Sequence, residues 1–409
     1  MIERKEYMKR LFDWKDEKVI KVITGMRRAG KSTLLQMYKD RLLADGVLPE
    51  QIVFINLEDL AYESLLDYRA LYAYVCERLH AQKTTYVFLD EIQMVDQFQK
   101  AADSLFLKEN VDLYLTGSNA YLLSGELATL LSGRYVEINI LPLSFAECRG
   151  MMGEFSSDEA FARYLRWGGL PYVVSLAGDD EKSMLYLEGI YNTILLKDIE
   201  ERQKRREQDP NRRKITDLTL LGNIARFLAN SVGSPVSVKS IADYLTSAGR
   251  NISPNTVSDY LQALIEPYVF YPAARFDIVG KQLLKQSPKY YIADLGLRRF
   301  MLQRRSYDVG YSLENVVFLE LLRRGYRVNI GKAGQNEVDF VAQKDESVTY
   351  FQVTASMLEE STFAREMAPL SSIPDHYPKI VLTLDRYSLG DYNGIRVRNV
   401  VDWLLSEEK

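Results

Sequence analysis

The sequence predicts an α/β protein built on a parallel, doubly wound sheet. Three observations predict it. Residues Gly25-Met26-Arg27-Arg28-Ala29-Gly30-Lys31-Ser32 read G-x-x-x-x-G-K-S between an apolar run and an amphipathic run. A second apolar, β-rich run, Tyr86-Val87-Phe88-Leu89, ends in the acids Asp90-Glu91. Further apolar runs at Gln51–Leu57, Val111–Leu115 and Val136–Leu141 alternate with stretches of helical pattern.

The glycine segment has the context of a phosphate loop. Ile20, Val22 and Ile23 precede it as a strand, and Leu34, Leu35, Tyr38 and Leu42 follow at helical spacing. A glycine-rich turn lets successive backbone N–H groups face phosphate oxygens, and the positive end of the next helix adds to the attraction. The predicted nucleotide contacts are Gly25, Arg28, Ala29, Gly30, Lys31, Ser32 and Thr33. Lys31 is placed to reach the β- and γ-phosphates and the Ser32 hydroxyl to bind Mg²⁺. A plain glycine turn does not account for this spacing and context together.

Buried parallel strands read as continuous apolar runs, and ligands bind at their carboxyl ends. Asp90 is therefore expected beside the phosphate loop as a second Mg²⁺ group, and Glu91 as the general base for an attacking water. An apolar strand ending in two acids is a weak signal alone. With the phosphate loop it points to hydrolysis and not merely binding.

The chain has 409 residues, long enough for two or three domains, with 47% hydrophobic and 26% charged residues. A net charge of −4 argues against a generally basic nucleic-acid coat. Cys76 and Cys148 with two histidines cannot assemble a zinc set, and a reduced cytoplasmic protein is the expectation. Met1-Ile2-Glu3-Arg4-Lys5 leads into no signal-peptide-like segment, and no apolar run is long enough for a membrane.

In chain order, residues 1–19 are charged and helix-prone. Helical pattern is expected over 31–45, over Leu65–Leu79 and near 97–109. The strand Val111–Leu115 ends in Thr116-Gly117-Ser118-Asn119. Asn119 is expected to touch the γ-phosphate or the attacking water; a turn or helix cap is the competing role. Arg134, before the next strand, is a candidate arginine finger. This first domain spans 1–150.

Residues 151–215 read as a helical lid, interrupted by Gly168-Gly169-Leu170-Pro171, and a charged linker over Lys197–Lys214. Residues 216–287 read as a winged helix. Ser237 opens one helix through Ile241 and Leu245, Ser253-Pro254 opens the next, and short strands follow at 269–271 and 274–276. The second helix would expose Asn255, Thr256, Ser258, Asp259 and Gln262, a poor set for phosphate contacts without Arg250 and Lys239.

The last domain, 288–409, has a helix bearing Glu314, a strand bearing Asp339 and a strand bearing Gln352 and Thr354 on one face. That is the layout of a restriction-endonuclease-like core in which the E-x-K pair has become Gln-Val-Thr. Gln is a weaker Mg²⁺ ligand than a carboxylate and Thr carries no charge, so the site is expected to be degenerate and without nuclease activity.

With those residues in place, the chain resembles the prokaryotic AAA-type ATPases that join a phosphate-loop domain to a C-terminal domain of unknown function with a degenerate restriction-endonuclease-like fold. The match runs through Gly25–Thr33, Phe54–Glu58, Leu89–Gln93, Leu115–Asn119, Gly133-Arg134, Pro142–Glu147, Gly168–Pro171, Lys197-Asp198-Ile199, Leu313–Asn315, Glu337–Phe340 and Gln352-Val353. It covers nearly the whole length. The resemblance implies ATP hydrolysis with Lys31, Ser32, Asp90, Glu91 and Asn119 in the roles above, and a homo-oligomer, expected as a hexameric ring, with Arg134 acting in trans. DNA is the expected polymer. The alternative is an ATP-controlled switch or scaffold that recruits protein partners.

Overall fold

The computed structural model describes residues 2–118, 133–176, 178–206, 217–303 and 308–406. The chain divides into two units, Met1–Leu141 with Glu266–Tyr268, and Pro142–Ile265 with Val269–Lys409.

The first unit is a layered α/β fold. Helix α1 (Lys5–Asp13) leads to β1 (Ile20–Thr24), α2 (Lys31–Ala44), β2 (Ile52–Asn56), α3 (Tyr68–Cys76), β3 (Thr85–Asp90), α4 (Phe98–Phe106), β4 (Val111–Gly117) and β5 (Tyr135–Asn139). The five strands are all parallel, in the order β2-β3-β4-β1-β5. Strands β1, β3 and β4 are buried at every position, which is why they read as unbroken apolar runs. One face packs Val22, Val87, Leu89, Leu113 and Leu115 against Leu71 and Val75 of α3 and Leu105 of α4. Each such side chain stabilises the fold by roughly 1.5–3 kcal/mol.

Two helices are shorter than their sequence patterns. The pattern over Leu65–Leu79 is split because Asp67 caps α3, accepting from Arg69 N at 2.9 Å and Ala70 N at 3.0 Å. A 3₁₀ turn, Leu60–Leu65, precedes it. The helix expected near 97–109 spans only Phe98–Phe106.

A buried ion pair sits inside the sheet. Lys21 of β1 is fully buried and donates through Nζ to Asp112 of β4 and to the Glu17 carbonyl, the latter at 2.7 Å. Tyr114 OH donates to the other carboxylate oxygen at 2.9 Å and meets Tyr38 OH at 2.9 Å. Burial pushes the Asp112 carboxyl up, and Lys21 pulls it back.

The second unit contains α5 (Phe145–Arg149), α6 (Ser157–Trp167), α7 (Pro171–Ser175), α8 (Asp180–Arg206), α9 (Leu218–Asn230), α10 (Val238–Ser247) and α11 (Pro254–Ile265). Then come β6 (Phe270–Asp277), β7 (Gln282–Ile292), α12 (Leu295–Leu302), α13 (Val309–Arg323), β8 (Arg327–Ala333), β9 (Asn336–Lys344), β10 (Ser347–Thr354), α14 (Glu360–Ser371), β11 (Lys379–Thr383), β12 (Gly390–Tyr392), β13 (Ile395–Asn399) and α15 (Val400–Leu405). Its strands form one mixed sheet, β12-β13-β11-β10-β9-β8-β6-β7.

The two short strands expected at 269–271 and 274–276 are a single strand, β6, which runs through Pro272 and shifts register between Ala273 and Arg275. It pairs antiparallel with β7 and parallel with β8, so the hairpin after the helices is part of the large sheet. The border expected at 287/288 falls inside β7. The break at Gly168-Gly169-Leu170-Pro171 has a local cause. The Asp294 carboxylate caps α12 through Leu297 N at 3.1 Å and accepts from Gly169 N at 2.7 Å and Leu170 N at 3.1 Å. Gly168 has φ +73°, and a Cβ there would lie 2.2 Å from the Asp294 carboxylate.

The Lys21–Asp112 pair gives a stability prediction. Asp112→Leu leaves a buried ammonium without its carboxylate and is expected to cost about 3–5 kcal/mol in urea unfolding. Adding Lys21→Met is expected to recover most of that loss; no recovery would show that the pair is not the source of the cost.

Candidate nucleotide-binding site

Strand β1 delivers the chain into the loop at Gly25, whose φ is +140°. A Cβ there would lie 2.2 Å from the carbonyl oxygen of Ile140, so glycine is required by contact as well as by conformation. The loop ends at Gly30, left-handed at φ +101°, which stands at the N-cap of α2 without any side-chain cap bond. The first amides of α2, from Lys31, Ser32 and Thr33, therefore head an uncapped helix end suited to an anion. Lys31 is buried, and its Nζ donates to Gly25 O at 3.2 Å and Met26 O at 3.4 Å. Ser32, Thr33 and Arg28 are exposed.

The strand order brings the acids to the loop. Because β4 lies between β1 and β3, its carboxyl end stands between the phosphate loop and Asp90-Glu91. Thr116 of β4 donates from Oγ1 to Asp90 Oδ1 at 2.5 Å and accepts from Glu91 N at 2.8 Å. The Ser32 hydroxyl also bonds the Asp90 carboxylate, so the two predicted metal groups are in contact. Burial raises the Asp90 pKa, with the Thr116 and Ser32 hydroxyls opposing it. Glu91 has a left-handed backbone, φ 54° and ψ 49°, a conformation costly for a non-glycine residue. Its Oε1 lies 3.7 Å from Lys31 Nζ, and its Oε2 accepts from Gln93 Nε2.

Sequence reasoning missed four participants. Arg4 is buried, donating to Ala29 O at 3.0 Å and Leu141 O at 2.9 Å, so α1 pins the phosphate loop from behind. Nothing in the charged pattern of residues 1–19 marks it. Thr116 and Gln93 hold the two acids. Ser118, buried just after β4, has a hydroxyl without a hydrogen-bond partner among the described residues. Asn119 lies outside the described residues.

Arg134 stands apart from the other predicted groups. Its carbonyl accepts from Ile20 N at 2.8 Å, at the start of β1, whereas the loop follows the end of β1. Its guanidinium pairs with Asp103 and lies 5.7 Å from the centre of the Phe106 ring.

In the second unit the four residues of the predicted nuclease-like set lie in one region. Glu314 of α13 accepts from Lys289 Nζ at 3.1 Å and Tyr291 OH at 2.6 Å. Asp339 of β9 accepts from Val353 N at 2.8 Å, and its own N donates to Gln352 Oε1 at 3.3 Å. Gln352 Nε2 donates to Glu366 Oε2 at 3.0 Å, and Thr354 Oγ1 donates to Ser356 O at 3.1 Å. Glu314, Thr354 and Glu366 line a cavity of about 630 Å³ with Asp308, Tyr311 and Arg365. Lys289 and Glu366 were not foreseen.

Burial and then Glu314 raise the Asp339 carboxyl well above its usual range. Burial opposes the Lys289 charge, yet Glu314, Asp339 and Glu337 hold its pKa above the ordinary value. Among the described residues no group of three or more His, Cys, Asp or Glu is arranged to hold a metal ion.

A five-stranded parallel sheet with β4 inserted between a phosphate-loop strand and an Asp-Glu strand defines a P-loop domain, and residues 17–149 match the family described as an AAA domain. Residues 158–308 match a domain of unknown function, DUF8612. The chain belongs to the family of an uncharacterized protein of Haemophilus influenzae, to which it is 40% identical over 410 residues, 99% of each chain. An uncharacterized protein of Methanocaldococcus jannaschii, MJ1544, is 30% identical over 345 residues, 79% of this chain and 71% of that one. Among solved structures, a Walker-type ATPase of Pyrococcus abyssi is 16% identical over 74% of this chain and 96% of that chain, with a TM-score of 0.49. The Aeropyrum pernix Orc1 protein in complex with DNA is 14% identical over 74% and 93%, with a TM-score of 0.29. Among the described residues no helix is long and apolar enough to cross a membrane.

Arg4 supplies the prediction from this geometry. Arg4→Ala leaves the Ala29 and Leu141 carbonyls without their buried donor, at a cost of roughly 1–3 kcal/mol. The expected result is a lower melting temperature and about tenfold weaker binding of a fluorescent ATP analogue, because the loop backbone is no longer held. Unchanged affinity would remove Arg4 from the account of the loop.

Proposed function

We propose that the first unit binds ATP with Mg²⁺ and hydrolyses it. The observation that carries this reading is the convergence of Lys31, Ser32, Asp90 and Glu91 at the uncapped end of α2, tied together by Thr116. The loop amides and Lys31 take the phosphates. Ser32 and Asp90 would hold Mg²⁺, which would supply neutralisation of the phosphate charge. Glu91 receives a proton from the attacking water. Ser118, whose buried hydroxyl has no partner among the described residues, takes the place beside the γ-phosphate that the sequence offered to Asn119, its chain neighbour.

Arg134 is set at the far end of β1 from its own phosphate loop, which supports its supply to the ATP of a neighbouring copy, as in a ring. DNA remains the polymer proposed from sequence. The helix α11 presents exposed Asn255, Ser258 and Gln262 and no exposed base, so a DNA contact rests on surfaces other than this helix alone.

Steady-state hydrolysis by the wild type and Glu91→Gln, with and without duplex DNA at low salt, tests the reading. Glu91→Gln is expected to keep nucleotide affinity and lose about 10²-fold or more in kcat. Equal rates would overturn the role of Glu91. Stimulation by DNA supports a DNA-directed ATPase, and indifference to DNA favours the switch or scaffold. A mixture of Lys31→Ala and Arg134→Ala proteins is expected to hydrolyse ATP where neither does alone; no such complementation would overturn the in-trans role.

A further inference from the structure

Glu91 is the acid proposed as base, yet its own backbone does not aim it. It sits in a left-handed turn at the end of β3, where the chain leaves the sheet, and its carboxylate has two described side-chain partners. Lys31 is one, at 3.7 Å, and it is the cation that follows the phosphates. Gln93 is the other. It lies in the 3₁₀ turn Ile92–Met94 and donates from Nε2 to Glu91 Oε2. The second half of the same amide, Oε1, is buried with no hydrogen-bond partner among the described residues. A buried acceptor left unpaired costs about 1–3 kcal/mol, so an oxygen kept in this way beside the acid calls for a donor.

We propose that Gln93 is the positioning residue for Glu91 and that its Oε1 receives a hydrogen of the attacking water. The proposal deepens the reading of the first unit as an ATP hydrolase and rests on it. One hydrogen of the water faces Glu91 and the other faces Gln93, so the water oxygen's lone pair is turned to the γ-phosphorus. In the step, the bond from water oxygen to γ-phosphorus forms and the bond from γ-phosphorus to the β,γ-bridging oxygen breaks. That electron pair leaves on ADP, and the water's proton passes to Glu91 and then to solvent. The amide donates to Oε2 of Glu91 and leaves Oε1, 3.7 Å from Lys31 Nζ, to accept the proton.

The test is a double-mutant cycle. Gln93→Met keeps the length of the side chain and removes both polar atoms. It is expected to lower kcat by about tenfold to 10²-fold, with KM and the affinity for a fluorescent ATP analogue within about twofold of the wild type. Melting temperature should be unchanged. Because Gln93 and Glu91 hold the same water, the Glu91→Gln, Gln93→Met double variant should lose less single-turnover rate than the product of the two single losses. Gln93→Asn draws the amide back by one methylene and is expected to lose rate in the same way, which keeps the test decisive if the methionine variant folds poorly. Wild-type kcat in both Gln93 variants would overturn the proposal. So would a loss of rate matched by a loss of affinity and melting temperature, or full additivity in the cycle. If Glu91→Gln itself hydrolyses ATP like the wild type, the underlying reading fails; if only the Gln93 variants do, this inference alone fails.

Discussion

The hydroxyl of Thr116 joins the parts of the first unit that carry its chemistry. It donates to Asp90 and accepts from the amide of Glu91, so one side chain on β4 fixes both acids at the end of β3. This depends on strand order. With β4 between β1 and β3, a polar residue at its carboxyl end stands between the phosphate loop and the acids. A β4 elsewhere in the sheet would leave Asp90 buried with one partner fewer, where burial already raises its pKa. The buried Lys21–Asp112 pair joins β1 and β4 further down the same strands, where a partner lost on one strand exposes a charge on the other.

The second unit is organised around polar groups in a different way. Asp294 ends one helix break and begins another helix with a single carboxylate, and its burial raises its pKa to about 6. In the neighbouring cluster Lys289 of β7 stands between Glu314 and Glu337, and Gln352 bridges Asp339 and Glu366. These are interlocked charges, in which each acid has a donor. That arrangement rigidifies a polar cavity, and removing one member would leave another buried charge uncompensated.

The loop and the acid pair were legible because their chemistry demands fixed residue types at fixed spacing: two glycines, a lysine, a hydroxyl and two acids after an apolar strand. Strands β1, β3 and β4 of the first sheet were legible because full burial erases alternation. Arg4 was not legible, because its partners are carbonyls 25 and 137 residues away and a carbonyl leaves no mark in a sequence. Lys289 was hidden for a similar reason. It lies on β7, which was not read as a strand, and only the pairing of β6 with β8 brings β7 into the same sheet. The strands read separately at 269–271 and 274–276 are one, because the strand continues through Pro272 with a shift of register just beyond.

The most direct test of this account is a calorimetric titration of the full chain with Mg²⁺ and a non-hydrolysable ATP analogue, repeated on Lys31→Ala. The account predicts one site per chain in the wild type and its loss in Lys31→Ala, with the melting temperature retained. Equal binding by the two proteins, or none by the wild type, would contradict the assignment of Gly25–Thr33 as the phosphate loop.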